Sequence, residues 1–114
     1  MNKMNPELKK RWVDALRSGE YQQGTSVLRD KNDRRCCLGV LCEFVPVEVT
    51  QSNSAFYEYT FEVPEDYILN DYKDRSGGVP SFLVHSDDAA ILVRMNDDQG
   101  KSFSEIADYI EANL

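Results

Sequence analysis

The sequence lacks the long apolar runs that membranes and secretion require. No stretch approaches the ~20 consecutive apolar residues needed to cross a bilayer, and Met1 to Pro6 has no apolar core of the signal-peptide kind. Cysteine is scarce: three residues in 114, an odd number with two of them adjacent, which disfavours a disulfide framework and favours reduced thiols. Histidine occurs once, at His85. There is no glycine-rich phosphate loop, no nucleophile elbow and no metalloprotease helix motif. These absences predict a cytosolic protein that makes no membrane contact and needs no cofactor.

Basic residues are few beyond position 35. Residues 1 to 35 carry nine Lys or Arg against five acids, or +4, whereas residues 36 to 114 carry four against fifteen, or −11. The formal net charge is −7. A domain that binds along a nucleic-acid backbone needs a net basic footprint, so direct nucleic-acid binding is disfavoured. The asymmetry predicts two faces of opposite potential.

Enough apolar material is present for a core. The hydrophobic share is 41% and the aromatic share 11%, normal for a packed chain, and 114 residues suit a single domain spanning 1–114. Asn5-Pro6-Glu7 reads as a helix start, with a capping side chain, proline in the first turn and an acid beside it. Leu8, Trp12, Ala15 and Leu16 recur at helical spacing until Ser18-Gly19 stops the pattern. Tyr21 to Gly24 reads as irregular, and Ser26 to Arg29 as a short strand before the polar turn Asp30 to Asp33. From Arg34 to Val45 the pattern predicts a strand passing into a short buried helix through Cys36-Cys37-Leu38-Gly39-Val40-Leu41-Cys42.

Val47 to Thr50 and Tyr57 to Val63 alternate with a period of two, which predicts a hairpin around Gln51 to Ser54. Tyr57, Tyr59, Phe61 and Val63 then share one face, and Glu58 and Glu62 make the other acidic. Pro64 and residues 71 to 78 read as a polar loop. Ser86-Asp87-Asp88 starts a helix running to about Met95, and Ser102 with Glu105 forms a capping box for a last helix striped by Phe103, Ile106, Ala107 and Ile110. The fold class is therefore α+β: an N-terminal helix, a small antiparallel sheet with a hairpin, and a C-terminal helical pair.

Five chemistries compete for the candidate residues. Zinc is disfavoured because adjacent Cys36 and Cys37 lack the ligand spacing of structural sites. The Asp- and Asn-rich stretch around Gly100 fails as a calcium loop, since Met95 and Ile106 fall where ligands belong. A cysteine-dependent, papain-like enzyme centred on Cys37 with His85 as base is an alternative, weakened by the apolar neighbours of the thiol. No catalytic residue is therefore assigned. Two binding surfaces remain. Arg29, Arg34 and Arg35 have the guanidinium chemistry to hold a phosphate, as in a small-ligand binder that sequesters an anionic nucleotide. Glu58, Glu62, Glu65 and Asp66, with Tyr57 and Tyr59, form a partner-binding set; Glu48, Asp71, Asp74, Tyr67 and Tyr72 extend it toward a protein partner with a basic surface.

Trp12-Val13-Asp14-Ala15-Leu16-Arg17-Ser18-Gly19 with Tyr21, Gln23 and Gly24, then Leu28-Arg29, the run Cys36 to Cys42, and Asn96-Asp97 with Gly100, Ser102-Phe103 and Glu105-Ile106-Ala107 together resemble a group of small proteins of tailed bacteriophages and prophages. The resemblance covers about half of the chain and leaves residues 46 to 84 unmatched. It implies a phage or prophage origin and favours an inhibitor or modulator; together with the acidic surface this gives the expectation of a non-enzymatic protein that binds a host factor through that surface, in counter-defence or host takeover. It transfers no catalytic residue.

Overall fold

The computed structural model describes residues 4–51, 56–62 and 78–114. Helix α1, Pro6–Ser18, begins where the Asn5 side chain accepts hydrogen bonds from the Glu7 and Leu8 amides, at 2.9 and 3.0 Å. It ends at Gly19, whose φ of 78° is the left-handed conformation that closes helices. Two short strands follow, β1 at Gln22–Gln23 and β2 at Arg34–Arg35, paired in parallel. Cys36 caps helix α2, Cys37–Leu41, which tightens into a 3-10 turn over Cys42–Phe44. Strands β3, Val47–Gln51, and β4, Tyr57–Phe61, form an antiparallel ribbon. Helices α3, Ser86–Asp97, and α4, Phe103–Asn113, complete the α+β fold.

The elements that the hydrophobic period predicts are present, with three local differences. Ser26 to Arg29 is not a strand: Ser26 takes a φ of 73°, which breaks an extended run, and only Arg29 makes an isolated bridge to Arg35. The strand that pairs with Arg34–Arg35 is instead Gln22–Gln23, within the stretch expected to be irregular. Helix α3 starts one residue earlier in its capping and ends two residues later than expected. His85, rather than Ser86, is its cap, with Nδ1 accepting from the Asp87 amide at 3.2 Å. At the other end Asn96 stays helical because it is drawn into the interior, at 2% exposure.

The core lies where α1, α2, α3 and α4 converge. Trp12, Leu38, Leu41, Leu92, Ile106 and Ile110 are fully buried there. The Trp12 indole Nε1 donates to the Cys37 carbonyl at 2.8 Å, so a large apolar side chain is packed without leaving its polar atom unpaired. α1 also lies along α4, and the Met4 amide donates to the Leu114 carbonyl at 3.3 Å. On their exposed side Arg17 reaches Asp108 and Glu111 at 2.6 and 3.2 Å. The capping box of α4 is formed as expected, Ser102 and Glu105 each accepting the other's amide.

This body holds the ribbon by one face only. Tyr57, Tyr59 and Phe61 point inward and are half-buried, and Phe61 packs against the core, whereas Glu58, Thr60 and Glu62 alternate with them and are exposed.

Candidate functional site

Three groups of residues carry the chemistry available to this fold: the thiols of α2, the arginines around β2, and the ribbon. All three thiols are free and buried. Burial pushes the Cys36 thiol up, against amides at the start of α2 that favour its charged form. Burial pushes Cys37 well above its ordinary value and Cys42 to about 12. Such thiols are protonated at neutral pH and poor nucleophiles. Their hydrogen bonds run to backbone, Cys37 Sγ to the Leu92 carbonyl and Cys42 Sγ to the Leu38 carbonyl. His85 is occupied at the start of α3. Among the described residues no cluster of three or more His, Cys, Asp or Glu is placed to hold a metal ion.

The arginines lie together, and each faces a carboxylate. Arg29 Nε is 2.6 Å from Asp33 Oδ1, and its guanidinium stands 4.1 Å above the Tyr57 ring. Arg34 Nε meets Asp30 Oδ2 at 2.9 Å. Arg35, with a side chain only 7% exposed, bonds Glu43 and Asp33 and stacks on the Tyr21 ring. The turn is folded by the same acids: Asp30 Oδ1 accepts the Asn32 and Arg34 amides, at 2.9 and 3.0 Å. An anion arriving here competes with carboxylates that are already in place.

The turn has a consequence for acid stability. Backbone amides of Arg34 and Asn32, aided by the Arg34 charge, hold the Asp30 carboxyl below its ordinary value. Burial acts to raise Asp33, but Arg29 and Arg35 outweigh it and lower its pKa as well. A folded-state pKa lowered in this way contributes stability above the unfolded value of about 4 and loses it as pH falls through the folded one. We therefore expect Asp33→Asn, which still tolerates the φ of 62° at this position, to be less stable than wild type at pH 7. The difference should shrink steadily below about pH 4 in urea titrations. A difference independent of pH would rule out the ion pairs as its source.

The ribbon is the third group. Its register sets Glu48 opposite Thr60 and Thr50 opposite Glu58. Glu62 continues β4, its amide donating to the Pro46 carbonyl at 3.3 Å. Because side chains alternate, Glu48, Thr50, Glu58, Thr60 and Glu62 share the outer face, and all five are exposed. Among the described residues no cation lies within ion-pair distance of these three glutamates. Diagonal neighbours on a sheet are about 7–8 Å apart, so the charges repel without cancelling.

The inner face is different in kind. Tyr57 and Tyr59 line a cavity of about 510 Å³, with Leu28, Cys36, Val93 and Asp97 among the residues opposite. Among the described residues the charged ones that border it are Asp97 and Glu58, the latter with its side chain on the opposite, outer face of the ribbon. Burial raises the Tyr59 phenol, with Arg35 and Arg29 pulling the other way. Its hydroxyl is buried with no hydrogen-bond partner among the described residues.

Of the residues that the sequence nominates for partner binding, the structure thus places Glu58 and Glu62 on the same exposed face, with Thr60 between them, and turns Tyr57 and Tyr59 to the other side. The period of two that makes the strand also separates them. Glu65, Asp66, Tyr67, Asp71, Tyr72 and Asp74 lie outside the described residues, as do Val63, Pro64 and the turn at Ser52 to Ser54. Arg29, Arg34 and Arg35 are brought together, but as partners of Asp33, Asp30 and Glu43. Thr50 and Thr60 belong to the ribbon's outer face without having been singled out; the alternation of both strands carries the signal for them.

The architecture defines an α+β domain whose ribbon carries three exposed glutamates on one face, with no cation within ion-pair distance of them among the described residues. A family model described as Domain of unknown function (DUF8296) matches residues 4–114, and the chain belongs to that family. Comparison with curated proteins and with solved structures gives no match. No helix among the described residues is long and apolar enough to cross a membrane.

Proposed function

We propose that this is a phage- or prophage-encoded protein that acts in the host cytosol by binding a host factor with a basic surface, inhibiting or modulating it without catalysis. The observation that carries this reading is the contrast between the two charged regions. The arginines near β2 are matched to Asp30, Asp33 and Glu43, whereas Glu48, Glu58 and Glu62 stand on the outer face of the ribbon with no cation beside them among the described residues. Unpaired like charges raise the free energy of the free protein slightly and are relieved by a complementary surface, which also accelerates encounter. The sequence resemblance to phage proteins supports the biological setting.

The test neutralises the face without changing its shape. In the triple variant Glu48→Gln, Glu58→Gln, Glu62→Gln, affinity for the host protein captured by the wild-type chain should fall at least tenfold in calorimetric titration, about 1.4 kcal/mol. The wild-type affinity should also weaken as salt is raised. Stability should stay within about 0.5 kcal/mol per site, since the side chains are exposed. Unchanged affinity in the triple variant would refute an acidic docking face.

A further inference from the structure

Among the described residues the backbone of the ribbon has one unpaired edge, and the direction of its hydrogen bonds can be read from two contacts. The Tyr57 amide donates outward to the Arg29 carbonyl at 2.9 Å, away from β3. The Glu62 amide instead donates to Pro46, across the ribbon. In an antiparallel pair such roles alternate. Glu58, Thr60 and Glu62 therefore bond across to Thr50, Glu48 and Pro46, while Val47, Val49 and Gln51 turn their N–H and C=O groups to the far edge of β3. The far edge of β4 is engaged at its start by the Asp30 to Phe56 bridge. That of β3 has no pairing strand among the described residues.

An open edge is normally blunted by charged side chains, lysine above all, by proline or by a bulge. Val47–Gln51 has no lysine, proline or bulge, its one charge is Glu48 on the outer face, and its register with β4 is continuous. Val49, on this edge, is 43% exposed, and among the described residues it is the one large hydrophobic side chain left exposed. Two-stranded ribbons are marginal in water, and a third strand adds both hydrogen bonds and cover.

Resting on the acidic-face reading above, we propose that the partner contributes an extended segment in which Lys or Arg alternates with apolar residues, and that this segment adds as a third strand along β3. Alternation gives such a strand two sides. Its basic side chains fall on the outer face beside Glu48 and within reach of Glu58 and Glu62, and its apolar ones cover Val49. Main-chain bonds to Val47 and Val49 supply affinity, and the side chains supply selectivity. A second copy of this chain is disfavoured as the occupant, because it would bring like carboxylates onto one face.

An eight-residue synthetic peptide alternating Lys and Val serves as the probe against the whole chain. Its binding should slow hydrogen exchange at the Val47 and Val49 amides. Peptides of the same charge carrying N-methyl groups on alternate residues, in both registers, should yield one that binds at least tenfold more weakly. Val49→Pro removes an outward N–H that the ribbon itself does not use, and it should weaken the parent peptide to a similar degree. Equal binding of all peptides, or no binding of the parent peptide, overturns strand addition. If binding survives N-methylation but is lost in the triple glutamine variant, the acidic face stands and strand addition fails. If binding is lost on N-methylation but unaffected in the triple variant, the edge stands and the electrostatic reading fails. The N-methylated peptides leave the protein unaltered, so this arm decides the matter even if Val49→Pro distorts the ribbon.

Discussion

Replacing Gly39 by alanine should destabilise the protein by about 3 kcal/mol or more, the upper end of what overpacking a core costs, and for a chain of this length should lower Tm by roughly 10 °C. Gly39 lies inside α2, where alanine is ordinarily the better helix former by about 1 kcal/mol. Helix propensity therefore predicts the opposite sign. What decides is the neighbour: a Cβ at Gly39 would sit 1.8 Å from the Leu28 carbonyl oxygen and 2.8 Å from its carbon. Both are backbone atoms, so no rotamer change can relieve the clash. Either α2 or the segment carrying Leu28 has to move, and α2 is buried along its whole length. Gly19 is the control. Its φ is 78° but nothing lies within 4 Å of a Cβ there, so Gly19→Ala should cost only the left-handed penalty of about 1–2 kcal/mol. Thermal melts of the two variants distinguish the mechanisms. A Gly39→Ala protein as stable as wild type would mean that the helix and the Leu28 segment are not held against each other.

How far the sequence foretells such details depends on the distance over which each is determined. Both ends of α1 and the start of α4 are local, fixed by Asn5 with Pro6, Gly19, and the Ser102 to Glu105 box, and they are legible. The ribbon is legible for the same reason, because alternation over five residues sorts Tyr57, Tyr59 and Phe61 from Glu58 and Glu62. Gly39 is visible as a residue in an apolar run, but its role depends on Leu28, eleven positions away across an irregular segment. The arginines illustrate the same limit. Sequence proximity suggests an anion site at Arg29, Arg34 and Arg35, while their partners are Asp30 and Asp33 in the same turn and Glu43 beyond α2. A guanidinium's availability is a property of the packed structure. The openness of the β3 edge likewise depends on what the remaining elements leave uncovered, which no window of residues contains.

Asn96 makes the strongest case of this kind, and its replacement by leucine should rival Gly39→Ala in effect. An asparagine beside aspartates and a glycine reads as loop, yet it is 2% exposed in the last turn of α3. Its Oδ1 accepts from Gln23 Nε2 at 2.9 Å and from the Cys37 amide at 3.2 Å. Its Nδ2 donates to the Gly24 carbonyl at 2.9 Å and to Asp97 Oδ1 at 2.8 Å. One side chain thus joins β1, the start of α2 and the end of α3. Gln23 extends the link to the Lys101 carbonyl at 2.8 Å. Leucine keeps the volume but strands the Cys37 amide and the Gly24 carbonyl, and a buried polar group left without a partner costs about 1–3 kcal/mol. The expected loss is therefore about 3 kcal/mol or more. Asn96→Asp keeps the acceptor but puts a carboxylate against Asp97 and the Gly24 carbonyl. It should be at least as destabilising at pH 7 and recover part of the loss on acidification, when a proton removes the repulsion and restores one donor. A double-mutant cycle with Gln23→Ala separates the hub from simple packing: residues in one hydrogen-bond network couple by about 0.5–3 kcal/mol. Additive losses in that cycle would reduce Asn96 to a space-filling residue. Coupling would show that β1, α2 and α3 are held in register by a single amide, and with them the turn on which Arg34 and Arg35 are paired.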